Sequence, residues 1–200
     1  MKGLIEANVH YLKQAAELVD RLNDGFYARS EPIFYNSTIG GHLRHCLEHY
    51  ESFTQGLLQG RVDYDVRHRD EMVENRTQVA HERIGTVIAE LLAIEAQGVV
   101  DAIPIQGKQL LVKMDCGGPR ECGEAPGTVA EEAMWQVSSV GRELQFLVSH
   151  TVHHFAMIRG ICQSAGEELN ENFGMAPSTL RHRKQCIRSP ASGSNSGFLG

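Results

Sequence analysis

The 200-residue chain contains no apolar run of 18 residues, which leaves no sequence signal for a membrane span. Excess positive charge is also missing: 19 Lys and Arg stand against 25 Asp and Glu, for a net charge of −6. That balance argues against a domain that grips nucleic acid by neutralising phosphates. The basic segment Arg181, Arg183, Lys184 and Arg188 has no companion aromatic platform, so it reads as a solvated face. Five cysteines, at 46, 116, 122, 162 and 186, include no Cys-x-x-Cys pair and form no evident disulfide framework. The first residues, Met-Lys-Gly-Leu-Ile-Glu-Ala, lack the apolar stretch of an export peptide. With an odd cysteine count, this sets the expectation of a reducing, cytoplasmic setting.

Apolar residues at 42% and charged residues at 22% are ample for one globular core. Ile5, Val9, Leu12, Ala16, Leu18, Val19 and Leu22 recur at three- and four-residue intervals, predicting a helix over 4–24 that Asn23-Asp-Gly25 stops. A loop to Asn36 follows. A second helix is expected over 37–58, capped by Ser37 or Thr38, with Leu43, Leu47, Tyr50, Phe53 and Leu57 on its apolar face. Gly60–Asp65 reads as a connection. A third helix spans 66–94, with a charged outer face. The pattern changes at Gly98: Val99–Ile105 and Lys108–Met114 read as a short hairpin around Gly107, with Pro104 at an edge. Residues 116–127 read as a loop. A fourth helix runs over 129–165 and ends at Gly166. The expected fold is all-α: an antiparallel four-helix bundle with a small inserted β-hairpin, forming one domain over residues 1–188. Residues 189–200 are Ser- and Gly-rich and read as a flexible tail.

What the chain does have in abundance is histidine. Six of its ten histidines fall in two clusters: His42, His45 and His49, and His150, His153 and His154. At the helical repeat, the first three span an arc of about 60°. His150 and His154, four positions apart, share a face, and His153 turns toward a neighbouring one. Two bundle helices presenting such faces can gather imidazole nitrogens about a metal and leave a coordination position open. Spacing alone leaves all six as candidates, and a hydrogen-bond network or a charged surface patch is the alternative reading.

Thr38-Ile-Gly-Gly-His-Leu-Arg-His45 and Phe146-Leu-Val-Ser-His-Thr-Val-His-His154 resemble the two histidine motifs of the DinB/YfiT-like metalloenzyme superfamily. Tyr64-Asp-Val-Arg-His-Arg-Asp70, Gly141-Arg-Glu-Leu144 and Phe173-Gly-Met-Ala-Pro-Ser-Thr-Leu180 resemble a narrower group within it. The resemblance covers residues from about 4 to about 166. It implies a four-helix bundle with a divalent metal held by His45, His150 and His154. Zinc or nickel leads among the candidate metals, while iron, cobalt and manganese also accept imidazole.

Some members of the superfamily transfer low-molecular-weight thiols, which implies a small-molecule substrate here. In that reading His42, His49 and His153 are candidates for supporting or proton-transfer roles, and Arg44 and Arg69 for binding an anionic substrate group. Metal-assisted hydrolysis, with Glu48 or Glu143 as base, is a second expectation, although the His-Glu-x-x-His pattern is missing. A noncatalytic, metal-stabilised small-molecule-binding or stress-response protein is a third. An apolar helix face left uncovered would support a homodimer.

Overall fold

A computed structural model of the chain describes residues 1–66, 68–97, 99–100, 103–115 and 135–188. The loop expected over 116–127 and the tail expected over 189–200 lie outside the described residues.

Four long helices dominate: α1 (Lys2–Val19), α3 (Ile39–Gln59), α5 (Thr77–Gln97) and α6 (Val140–Ser164). Between them lie α2 (Asp24–Tyr27) and α4 (Glu71–Asn75), and α7 (Pro177–Arg188) closes the described chain. Each long helix buries one stripe: Ile5, Leu12 and Leu18 on α1, Leu43, Leu47 and Tyr50 on α3, Ile84, Val87 and Leu91 on α5, and Leu144, Phe155 and Ile158 on α6. Helix α1 packs against α5 and α6, and α3 packs against the same two, so the four stripes meet in one continuous core. None of these helices is long and apolar enough to cross a membrane.

The helix starts follow from their caps. The Thr38 side chain accepts from the Gly41 amide at 2.7 Å, and Ser139 does the same for Arg142 at 3.3 Å. Helix α3 ends at Gly60, whose φ of 71° lies in the left-handed region that glycine enters without strain. Helix α6 ends in paired bonds from Gly166 N–H to Gln163 and from Glu167 N–H to Cys162, as expected for Gly166 as a stop.

The structure corrects several boundaries. The expected 4–24 helix ends at Val19, and Asn23 caps α2 by accepting from the Phe26 amide. The expected third helix does not begin at Val66. Asp70 caps the short α4, Arg76 adopts extended backbone, and α5 restarts at Thr77. That break has a nonlocal cause: Asp24 accepts from both the Thr77 amide and the Thr77 hydroxyl, each at 2.9 Å.

The hairpin around Gly107 is also corrected. Strand β2 (Val99–Val100) pairs with β3 (Ile103–Pro104), and Gly107 closes a 3₁₀ turn. Strand β4 (Gln109–Lys113) pairs elsewhere, in parallel with β1 (Arg61–Asp63) and antiparallel with β5 (Gln136–Ser139). The supposed connection after Gly60 is therefore a strand. Of the helix expected over 129–165, residues 129–134 lie outside the described residues, Gln136–Ser139 form β5, and the helix begins at Val140. The fold is thus mostly helical with a small three-stranded sheet.

Candidate functional site

Helices α3 and α6 lie against each other and bring the two histidine clusters together. The Nε2 atoms of His45 and His150 stand 3.1 Å apart, and those of His150 and His154 stand 3.2 Å apart. The ring centroids of these three residues are separated by 4.9, 4.6 and 4.6 Å, a nearly equilateral triangle. His45, His49 and His150 also form a group whose ligand atoms all lie within 4.8 Å of one another. His49 meets its neighbours differently, however. Its ring lies 4.1 Å from that of His150 at only 30°, a face-to-face arrangement, and its Nδ1 donates to the His45 carbonyl at 2.9 Å. Imidazole ligates a metal from a nitrogen in the ring plane. His154 thus joins the centre through its short Nε2 approach to His150, whereas His49, the third member of the donor group, lies over the His150 ring.

The remaining candidates fall around this centre at different distances. The Nδ1 of His42 lies 2.9 Å from the Nδ1 of His154, and its Nε2 lies 3.0 Å from the Ser37 hydroxyl. His153 is exposed and meets His154 edge-on, with centroids 5.1 Å apart. Arg44 is held by two carboxylates, Glu48 at 3.1 Å and Glu74 at 2.9 Å, so it offers less to a substrate anion than the sequence suggests. Arg69 is exposed with φ of 50°. Arg44, Glu48, Glu51, His68, Asp70 and Arg83 line a mixed-charge cleft of about 470 Å³ on the adjoining face of α3.

Burial sets the electrostatics of the cluster. It pushes His150 down to about 2, with His49, His154 and His45 adding repulsion. It pushes His154 down to about 3, and His42 and His153 reinforce the effect. His42 is lowered for the same first reason. Near neutral pH these rings are uncharged, the state in which imidazole presents a lone pair to a cation.

Two aromatic residues and an acid that received no such role from sequence frame the site. Tyr64 stacks on His49 at 18°, and Phe146 stacks on His150 at 29°. The Tyr64 hydroxyl donates to the buried Glu143 carboxylate at 2.9 Å, and Ser138 donates to its other oxygen. Glu143 is thus occupied as an acceptor, and Glu48 is committed to Arg44. Neither is poised as a free base. Tyr64 belongs to a motif visible in sequence, but nothing in that motif marks it as the floor beneath His49. Ser37 is visible only as a helix-cap candidate, a position that Thr38 takes.

Cys46 and Cys162 are buried and far from nucleophilic. Burial raises Cys46 strongly and Cys162 to about 11.

Fold and site together define a mostly helical protein with a half-buried histidine cluster between two long helices. No protein-family model matches the chain, and no solved structure matches it. A stretch of 48 residues is 48% identical to FK506-binding protein 5 of Rhizopus delemar, covering 24% of this chain. The match spans 12% of that protein's length, too little to assign a family.

Proposed function

We propose that the chain is a divalent-metal-dependent enzyme of the DinB/YfiT-like kind, with His45, His150 and His154 as ligands and a low-molecular-weight thiol as substrate. The observation that carries this reading is the Nε2 spacing. Two ligands bound tetrahedrally at 2.0–2.1 Å stand about 3.3–3.4 Å apart, and the separations here are 3.1 and 3.2 Å. The donor set also fits: neutral imidazoles suit zinc, nickel and other late divalent ions. The pairwise packing of α1, α3, α5 and α6 supports reading the helical layer as a four-helix bundle.

A bound divalent cation would supply the charge that favours deprotonation of a thiol at the remaining coordination position. The residues of this chain would do the rest. The rings of Tyr64, His49 and Phe146 pack along one side of the ligands. His153, exposed beside His154, would accept the thiol proton and pass it to solvent. The sulfur then forms a bond to an electrophilic carbon as the bond to its leaving group breaks, and the leaving group takes the electron pair. In this reading the thiol comes from the substrate, and the buried Cys46 and Cys162 take no part.

Tag-free protein should bind about one equivalent of zinc or nickel, and His150→Ala should lose it. A screen of small thiols against alkyl electrophiles, with and without metal, tests the chemistry. Metal-dependent ester or amide hydrolysis without thiol transfer would instead identify a hydrolase. Bound metal with no turnover in either screen would assign the ion a structural role.

A further inference from the structure

For neutral imidazoles, the hydrogen-bond chain on the far side of His154 has one consistent arrangement of protons. The Ser37 hydroxyl lies 2.6 Å from the Phe34 carbonyl, which can only accept, so the single hydroxyl proton of Ser37 is used there. Toward His42, 3.0 Å away, Ser37 must therefore accept, and the Nε2 of His42 carries the proton. A neutral His42 then has a bare Nδ1. That atom sits 2.9 Å from the Nδ1 of His154, which must be the donor. The proton of His154 is consequently on Nδ1, and its bare Nε2 points at the Nε2 of His150, 3.2 Å away.

We propose that Ser37 and His42 are positioning residues that lock His154 in the Nδ1–H tautomer and hold its Nε2 lone pair toward His45 and His150. The lock is a property of the metal-free protein. Its use in ligation rests on the metal reading above.

The relay starts from a well-anchored point. Ser37 closes a tight loop in which the Glu31 amide donates to the Ser37 carbonyl at 3.0 Å. Tyr35 and Asn36 hold left-handed backbone within that loop. The Phe34 ring sits directly over Gly160 of α6, leaving no room for a Cβ. The carbonyl that orients Ser37 is therefore fixed to the helix that carries His154. Partners of this kind, bonded to the distal nitrogen of a ligating imidazole, commonly change metal affinity 10- to 100-fold.

The direct test is long-range ¹H–¹⁵N NMR on metal-free protein labelled at histidine nitrogen. His154 is expected to show a protonated Nδ1 and a bare Nε2. In His42→Phe that single tautomer should give way to a mixture. His42→Asn keeps an acceptor oxygen near the Nδ1 position and should restore it. An Nε2–H tautomer in the unaltered protein, or an unchanged His154 in His42→Phe, would overturn the proposal. Zinc titration of the same samples separates the two readings. About 10-fold or greater weakening in His42→Phe, recovered in His42→Asn, is expected. Equal zinc affinity in all three proteins would overturn the positioning role. If none of them binds metal while the tautomer is as expected, the metal assignment fails and the lock stands.

Discussion

The Nε2 atoms of His45 and His150 meet at 3.1 Å although 105 positions separate the two residues in the chain. Two neutral imidazoles at that distance share at most one proton, so the contact is favourable only with a hydrogen bond or a cation between them. The packing of α3 on α6 brings them there, and it brings His154 with them. His49, one turn beyond His45, reaches the same centre but presents its ring face to His150. This difference between edge and face makes the site's members unequal and gives a sharp mutational expectation.

Substituting His150 with alanine should weaken metal binding at least 100-fold, because it removes the nitrogen common to both short separations. His45→Ala should behave alike. His49→Ala should retain one equivalent of metal with a loss of about 10-fold or less, the scale of a supporting contact. Isothermal titration on tag-free protein checks this. A loss in His49→Ala as complete as in His150→Ala would move His49 into the ligand set, as its position within 4.8 Å of the other donors allows.

The helix stripes and the two histidine clusters are legible in the sequence because both are local and periodic. Leu43, Leu47 and Tyr50 announce a buried face, and His45 and His49 sit beside it at helical spacing. The break between α4 and α5 is not legible, since it depends on Asp24 capturing Thr77 from 53 positions away. Strand β1 has three residues, too few for an alternation to stand out, and its partner Leu111 lies 50 positions beyond Arg61. Ser37 is hidden for a related reason. Its hydroxyl looks like a cap, and only the folded loop turns it toward His42. The histidine clusters were thus readable, whereas the groups packed around them depend on tertiary contacts.

In the metal-free protein the cluster should make stability sensitive to acid. The folded pKa values of His150 and His154 lie near 2 and 3, below the ordinary value of 6.5. A histidine lowered by folding takes up its proton in the unfolded chain first. Its contribution is therefore complete above about pH 6.5 and is lost as pH falls through that value toward the folded pKa. Each such proton contributes a slope of up to about 1.4 kcal/mol per pH unit. Urea denaturation between pH 7.5 and pH 5.5, above most carboxylate titrations, should show the decline, and His150→Gln should flatten it. Identical slopes in the two proteins would refute the assignment.

Glu143 offers a separate test of the aromatic floor. Its buried carboxylate accepts from Tyr64 and Ser138, and burial, followed by the nearby Glu143 charge, raises the Tyr64 pKa. Tyr64→Phe keeps the ring against His49 but removes one donor from a buried acceptor. The expected cost is about 1.5–3 kcal/mol in urea denaturation, the range for hydrogen bonds to charged groups. In a double-mutant cycle with Glu143→Gln the two effects should be less than additive. Full additivity would mean that the hydroxyl and the carboxylate do not interact in solution.

Two helical glycines should respond to alanine with opposite signs, which tests the packing that holds the histidine-bearing end of α3. A Cβ on Gly40 would overlap the Glu74 backbone carbonyl and press on the Tyr27 ring, so α3 and α4 approach closely only because that atom is missing. Tyr27 is itself buried and donates to the Val73 carbonyl at 2.9 Å, so the contact has little freedom to relax. Gly40→Ala should therefore destabilise by about 1–3 kcal/mol or more, the usual cost of forcing atoms into a packed interface. A Cβ on Gly85, in α5, would meet nothing within 4 Å. There alanine should stabilise by about 0.5–1 kcal/mol, because glycine loses more backbone freedom in a helix. Denaturant midpoints at constant slope measure both. A neutral Gly40→Ala would show that α4 stands farther from α3 in solution. Because Gly40 lies on α3 two residues before His42 and five before His45, the same variant should also weaken metal binding, whereas Gly85→Ala should leave it unchanged.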